Sequence, residues 1–165
     1  MNPLAENANQ YQPPKITVLM PVYNVSKFLP KCLQTLMDQT FRDFRLIAVN
    51  DGSTDNCLEI LRDFEARYHN ITVIDQPNRG MSMARNAALA LADSKYICFV
   101  DSDDYLAPTF LQELYQAITI HDADIACCYL TLILSRSSWL HTGNLILITF
   151  TCMLIHTPRW CRQCI

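Results

Sequence analysis

A chain of 165 residues, half of them hydrophobic, is long enough for one domain with a real core, too short for two ordinary ones, and too apolar to be disordered. A net charge of −3 argues against a general nucleic-acid binder. The charge is unevenly spread: all 16 acidic residues lie at or before Asp124, whereas Cys127, Cys128, Cys152, Cys161 and Cys164 all follow it. Two compositions therefore meet near residue 125, and each is read separately.

Residues 1–14 are polar, carry Pro3, Pro13 and Pro14, and lack an apolar centre, so they read as a flexible leader rather than a signal peptide or a membrane span. "ITVLM" (Ile16 to Met20), closed by Pro21, is a buried strand. Ser26 is placed to cap a helix in which Phe28, Leu29, Cys32, Leu33, Leu36 and Met37 recur at helical spacing. "RLIAV" (Arg45 to Val49) is a second strand, and "DGSTD" leads from it into a helix with Leu58, Leu61, Phe64 and Tyr68 inward. "ITVI" (Ile71 to Ile74) is a third strand, followed by a helix from Met81 whose alanines allow close packing. "KYICFV" (Lys95 to Val100) is the fourth strand. Pro108 suits the first turn of a helix carrying Phe110, Leu111, Leu114, Tyr115 and Ile118, and "ADIAC" (Ala123 to Cys127) is a fifth strand. Strands alternating with helices predict an α/β, doubly wound domain: a mostly parallel sheet with right-handed crossovers, covered by helices on both faces.

In such sheets ligands bind beyond the carboxyl ends of the strands. The unusual polar clusters fall at those ends: "PVYN" (Pro21, Val22, Tyr23, Asn24), "NDGSTD" (Asn50 to Asp55) and "DSDD" (Asp101 to Asp104). Simpler roles exist for several of them. Ser53, Thr54 and Asp55 suit a helix cap, Asp51 and Gly52 suit a turn, and Asp104 suits the positive end of the next helix. None of these explains Asp101 beside Asp103, because crowded carboxylates raise one another's pKa unless a cation offsets them. A hard divalent ion, Mg²⁺ or Mn²⁺, is the economical partner, and it commonly shares substrate phosphates. The chain's glycines, Gly52, Gly80 and Gly143, spell neither G-x-G-x-x-G nor a Walker loop, so a bound diphosphate would be held by metal and side chains.

"ITVLMPVYN", "LIAVNDGSTD", "NRGMSMARNAAL" and "YICFVDSDDYLAP" together resemble the family 2 glycosyltransferases, in that family's order and spacing, over residues 15–128. The resemblance implies a Rossmann-like GT-A nucleotide-sugar-binding domain, incomplete at its C-terminus. It implies inverting transfer of a sugar from a nucleotide diphosphate sugar, a UDP-sugar above all, to a hydroxyl of a glycan or lipid-linked acceptor in polysaccharide synthesis. By the same resemblance Asp51 accepts the imide N–H of uracil, and Pro21, Val22, Tyr23 and Asn24 line the base and ribose. Arg79 and Arg85 lie near the diphosphate. Asp101 and Asp103 form the D-x-D pair, with Asp103 on the metal and Asp101 by ribose and metal. The expected location is cytoplasmic, with or without peripheral association at the inner membrane face.

The family's catalytic base is an acidic residue well beyond the D-x-D loop, and no acidic residue follows Asp124, so acceptor half and base are expected to be missing and transfer impaired. The segment 129–165 shows neither a sustained helical period nor strand alternation and is expected to form no domain, as an out-of-frame product would not. Its longest apolar stretch, Leu145 to Ile155, is too short to cross a bilayer. Cys152, His156, Cys161 and Cys164 have a spacing that could hold zinc, but the flanking chain lacks the turns of a zinc module. Two other readings compete: a nucleotide-sugar-binding fragment without catalysis, and a phosphatase or receiver-type domain. The last would need its key Asp after the first strand, where Pro21 to Asn24 stand.

Overall fold

The computed structural model describes residues 12–128 and 152–156. The central strand β1 (Ile16–Val22) lies between β2 (Phe44–Asp51) and β4 (Tyr96–Phe99), parallel to both, with Leu19 level with Ile47 on one side and Phe99 on the other. Outside β2 runs β3 (Ile71–Gln76), again parallel. Consecutive strands thus proceed outward from β1 to β3, and the chain then returns to the other side of β1 for β4. That reversal creates a crevice at the carboxyl ends of β1 and β4, where α/β sheets bind ligands.

Side chains of β1 alternate between two cores, as the period of a strand requires. Val18, Met20 and Val22 point into the larger core, with Leu29, Leu33 and Leu36 of α1 (Leu29–Met37), Leu61 and Phe64 of α2 (Cys57–Arg67), and Leu111, Leu114 and Ile118 of α4 (Phe110–Ile120). Leu19 points the other way, joining Ile47, Val49 and Ile97 under Ala84 and Ala88 of α3 (Met81–Ala90). Each fully buried Leu or Ile contributes about 1.5–3 kcal/mol of transfer free energy, so the two cores dominate the favourable side of folding. The α/β architecture with helices on both faces is the one expected from the alternating pattern.

Several local expectations are corrected. β1 continues through Pro21, which is level with Val49 of β2. β4 has already ended opposite Leu19, so Pro21 has a single strand neighbour, and a residue without an N–H is tolerated there. Ser26 does not cap α1. The helix starts from Phe28 with no side-chain cap and Pro30 in its first turn, while the Ser26 N–H donates to the Asp55 carboxylate at 2.9 Å. α4 begins after Pro108, whose carbonyl accepts the Thr40 N–H at 2.9 Å.

The sheet has six strands, in the order β3-β2-β1-β4-β6-β5. β5 (Ile125–Cys128) does not pair with β4. Between them lies β6 (Cys152–His156), antiparallel to both and drawn from the segment in which no helical period or strand alternation was legible. A short strand with Leu154 and Ile155 both buried has no polar–apolar alternation to read. Its conformation comes from the neighbouring ladders: Tyr96, Ile97 and Cys98 of β4 present an edge, and β6 pairs with it. Residues 1–11 of the expected leader, and Cys161 and Cys164 of the Cys/His array, lie outside the described residues. Among the described residues no helix is long and apolar enough to cross a membrane.

Candidate functional site

The loops after the parallel strands bind one another before they bind anything else. Asn24, in the left-handed region at φ 51°, accepts the Thr54 N–H at 2.8 Å on its side-chain oxygen, and its own N–H donates to Ser53 Oγ at 3.1 Å. Asp55 accepts N–H groups from Ser26 at 2.9 Å and Cys57 at 3.1 Å. Burial pushes the Asp55 carboxyl up, but hydrogen bonds from Cys57 and Ser26 outweigh it and bring the pKa down to about 2. The loop after β1 is thereby laced to the loop after β2. Ser53, Thr54 and Asp55 serve this lacing, and Asp55 also supports the first turn of α2.

Against these loops lies a cleft of about 520 Å³. Of the residues singled out from sequence, Pro21, Val22, Tyr23, Asp51, Asp101 and Asp103 line it. Asn24, Arg79 and Arg85 do not. Asn24 faces Thr54, and Arg79 contributes its backbone N–H to Asp51. The Arg85 guanidinium binds the Asp101 carboxylate at 2.8 Å. Val25, Asn78, Gly80 and Met81, which were given no role from the sequence, also line the cleft, as does Ser102 of the "DSDD" cluster. Gly80 carried one available signal, a glycine immediately before a helix.

Asp51 is 2% exposed. Its Oδ1 accepts hydrogen bonds from Gln76 Nε2 at 2.7 Å and the Arg79 N–H at 2.9 Å, and its Oδ2 accepts the Gly80 N–H at 2.8 Å. Burial raises its pKa, yet these bonds and the Arg79 charge prevail and hold it below the usual carboxylate range. Asp51 is therefore an anion at neutral pH, held at the start of α3, where the helix dipole favours negative charge.

At the other end, Asp101 and Asp103 flank the buried Ser102 in a tight turn closed by the Asp104 N–H on the Asp101 carbonyl at 3.1 Å. Asp104 is half-buried; its burial, then the charges of Asp101 and Asp103, raise its pKa. Beneath the turn the Cys32 thiol donates to the Asp101 carbonyl at 3.6 Å. Burial, reinforced by Asp104, Asp103 and Asp101, pushes Cys32 up to about 12, so it is a thiol and no nucleophile. The Asp103 carboxylate is exposed and carries no hydrogen bond or ion pair among the described residues. Hard oxygen donors of this kind fit Mg²⁺ or Mn²⁺. Among the described residues no group of three or more potential metal ligands converges, so such an ion would draw further ligands from phosphate and water.

At the strand-order reversal of this α/β domain, one cleft thus carries the anionic Asp51 together with Asp101 and Asp103. Residues 17–155 match the family described as "Glycosyl transferase family 2", and the chain belongs to that family. It is 45% identical over 112 residues to the glycosyltransferase GlyA of Streptococcus pneumoniae serotype 4, covering 68% of this chain and 16% of that protein. With the chondroitin synthase of Pasteurella multocida it shares 33% identity over 126 residues, 76% of this chain and 13% of that one. Its fold is similar to that of S. aureus TarS 1-349 in complex with UDP-GlcNAc, with a TM-score of 0.68 and 30% identity over 76% of this chain and 37% of that chain. The chain thus spans well under half the length of these relatives.

Proposed function

We propose that the cleft is the donor site of a glycosyltransferase that moves a sugar from a nucleotide diphosphate sugar, a UDP-sugar above all, to an acceptor hydroxyl of a glycan or lipid-linked molecule. The observation that carries this reading is that one cleft joins Tyr23 and Asp51 at one end to Asp101 and Asp103 at the other. Tyr23, half exposed, offers an aromatic face to a base, with Pro21 and Val22 beside it. A carboxylate has about four acceptor positions, and Asp51 has used three, which leaves one for the single imide N–H of uracil. The UDP-GlcNAc complex of the TarS relative supports the same class of donor.

Asp101 and Asp103 would hold Mg²⁺ or Mn²⁺, whose charge would offset that of the departing nucleoside diphosphate. Asp103 is the freer ligand, because Asp101 is already paired with Arg85. In the transfer itself the acceptor oxygen forms a bond to the anomeric carbon, the bond from that carbon to the diphosphate oxygen breaks, and the acceptor proton passes to a base. Among the described residues the carboxylates that line the cleft are Asp51, Asp101 and Asp103, and the proposal gives each of them to donor or metal. That observation favours a second reading for this segment, a nucleotide-sugar binder that supplies no base of its own.

Calorimetric titration of uridine diphosphate, with Mg²⁺ or Mn²⁺ and then with excess chelator, tests the site. Affinity should depend on the metal, and Asp103→Ala should abolish the metal-dependent part. Equal affinity in both buffers would sink the metal role. A transfer and donor-hydrolysis assay with a radiolabelled UDP-sugar separates the two readings, since turnover requires a base and binding does not.

A further inference from the structure

The carboxylate of Asp51 spends three hydrogen bonds on the protein itself, and their destinations are specific. Two of the donors, the Arg79 and Gly80 N–H groups, belong to the short connection between β3 and α3. A second contact presses on the same connection. Gly52, at φ +68°, lies so close that a Cβ on it would come within 2.5 Å of the Asn78 nitrogen. Asp51 and Gly52 therefore form a seat at the end of β2 on which residues 78–80 rest. Gly80, at φ +88°, is the N-terminal boundary of α3, and its carbonyl accepts the Ala84 N–H at 3.1 Å.

On the next turn of α3, Arg85 reaches the Asp101 carboxylate, and its Nε is buried without a hydrogen-bond partner. The helix meets the sheet through the small Ala84 and Ala88, with Leu89 partly buried against the same core. The polar contacts at Gly80 and Arg85 add direction to this packing, because hydrogen bonds fix position along and around the helix axis more narrowly than small apolar contacts do.

The geometry points to Asp51 and Gly52 as positioning residues: they seat the connection before α3, and through that helix they place Arg85 against Asp101. The two ends of the cleft are thereby joined through α3. The consequence for ligand binding rests on the donor-site reading; the mechanical link does not. Base recognition through the last acceptor position of Asp51 would cost uridine and uridine diphosphate equally when lost. Positioning acts at the Arg85–Asp101 end, which the diphosphate and its metal would share with the ribose, so its loss would cost uridine diphosphate more than uridine.

The test begins without ligand, by following exchange of the Arg79 and Gly80 amides and of the Arg85 Nε–H by NMR. In Asp51→Asn, whichever way the carboxamide turns, one of the two backbone amides loses its acceptor. Its exchange should accelerate on the order of tenfold or more, with the Arg85 Nε–H accelerating too. Gly52→Ala, which leaves the carboxylate intact, should loosen the same three protons and serves if Asp51→Asn fails to fold. Asp101→Asn should free only Arg85. Parent-like exchange at Arg79 and Gly80 in the folded Asp51 or Gly52 variant, or faster exchange there with Arg85 unmoved, overturns the inference. In a binding titration, Asp51→Asn should weaken uridine diphosphate by a larger factor than uridine. Equal factors would return Asp51 to base recognition alone. Failure of the parent to bind either ligand would overturn the donor-site reading, while the exchange rates still decide the anchor.

Discussion

The two sides of this sheet hold their strands by different means. From β1 to β4 the strands are parallel, and the segments at their carboxyl ends are tied to one another: Asn24 to Thr54, Ser26 to Asp55, Asp51 to Gly80, Arg85 to Asp101. Beyond β4 the pairing turns antiparallel, the cleft lining among the described residues comes from the loops on the parallel side, and Leu154 and Ala126 serve the core. One side holds its shape through directional polar bonds and the other through burial. The lesson is that binding geometry and stability are separable here: damage to β6 should lower stability without reshaping the cleft, whereas small changes in the loops should do the reverse.

The largest expected effect tests the burial side. Leu154 is fully buried, so Leu154→Ala should cost about 2–5 kcal/mol by lost transfer energy and the cavity left behind. Urea unfolding measures the loss. The affinity of the folded fraction for uridine diphosphate should stay at the parent value, and a matching drop in affinity would break the comparison.

Next comes Gly80→Ala. A Cβ there would meet no atom within 4 Å, so any penalty comes from the backbone at φ +88°. About 1–3 kcal/mol of strain is expected. Unlike Leu154→Ala, it should weaken uridine diphosphate binding in the folded protein, because the Gly80 N–H is one of the Asp51 contacts. A variant with parent stability and parent affinity would show that the connection before α3 is not shaped by this residue.

Asn24→Ala should cost about 1 kcal/mol, since it removes the acceptor of the Thr54 N–H and leaves a side chain at φ 51°. Asn24→Gly should cost less, because the backbone penalty disappears while the bond is still lost. The order of the two unfolding midpoints is the measurement, and the opposite order would rule out a backbone contribution.

The last effect is read from the slope of stability at acid pH. The folded-state pKa of Asp55 is about 2, below its ordinary value of 3.8, so its bonds to Ser26 and Cys57 stabilise the fold fully above the ordinary value. That contribution is lost as pH falls from about 4 through about 2. Stability measured over this range should fall less steeply in Asp55→Asn than in the parent. Identical slopes would mean that the lacing of the two loops carries no proton-linked free energy.

The alternation of strand and helix, the inward faces of α1, α2 and α4, and the gathering of "PVYN", "NDGSTD" and "DSDD" at strand ends were all legible along the chain. Each depends on local period or on turn chemistry, which a linear reading samples directly. Asp101 and Asp103 stood out because carboxylates so close in sequence must also be close in space. Asn78, Gly80 and Met81, though within the "NRGMSMARNAAL" stretch, were given no role, since their place in the cleft depends on how β3 and α3 meet β2, as does the bond from Gln76 to Asp51. The family resemblance placed Arg79 and Arg85 near the diphosphate; in the fold the first offers its backbone to Asp51 and the second its guanidinium to Asp101.

By itself, the sequence determined which segments become strands and helices up to β5, the hydrophobic faces they bury, and the edge of the sheet on which the polar loops collect. Those features follow from side-chain spacing and backbone preference, which act within a few residues. The tertiary structure decided that β6 would enter between β4 and β5, that Ser26 would serve Asp55 rather than cap α1, and that Asp51 would hold the connection before α3. Each of these joins residues far apart in the chain, and its partner is chosen by the unpaired ladder edges and buried hydrogen-bonding groups that the assembled sheet leaves to be satisfied.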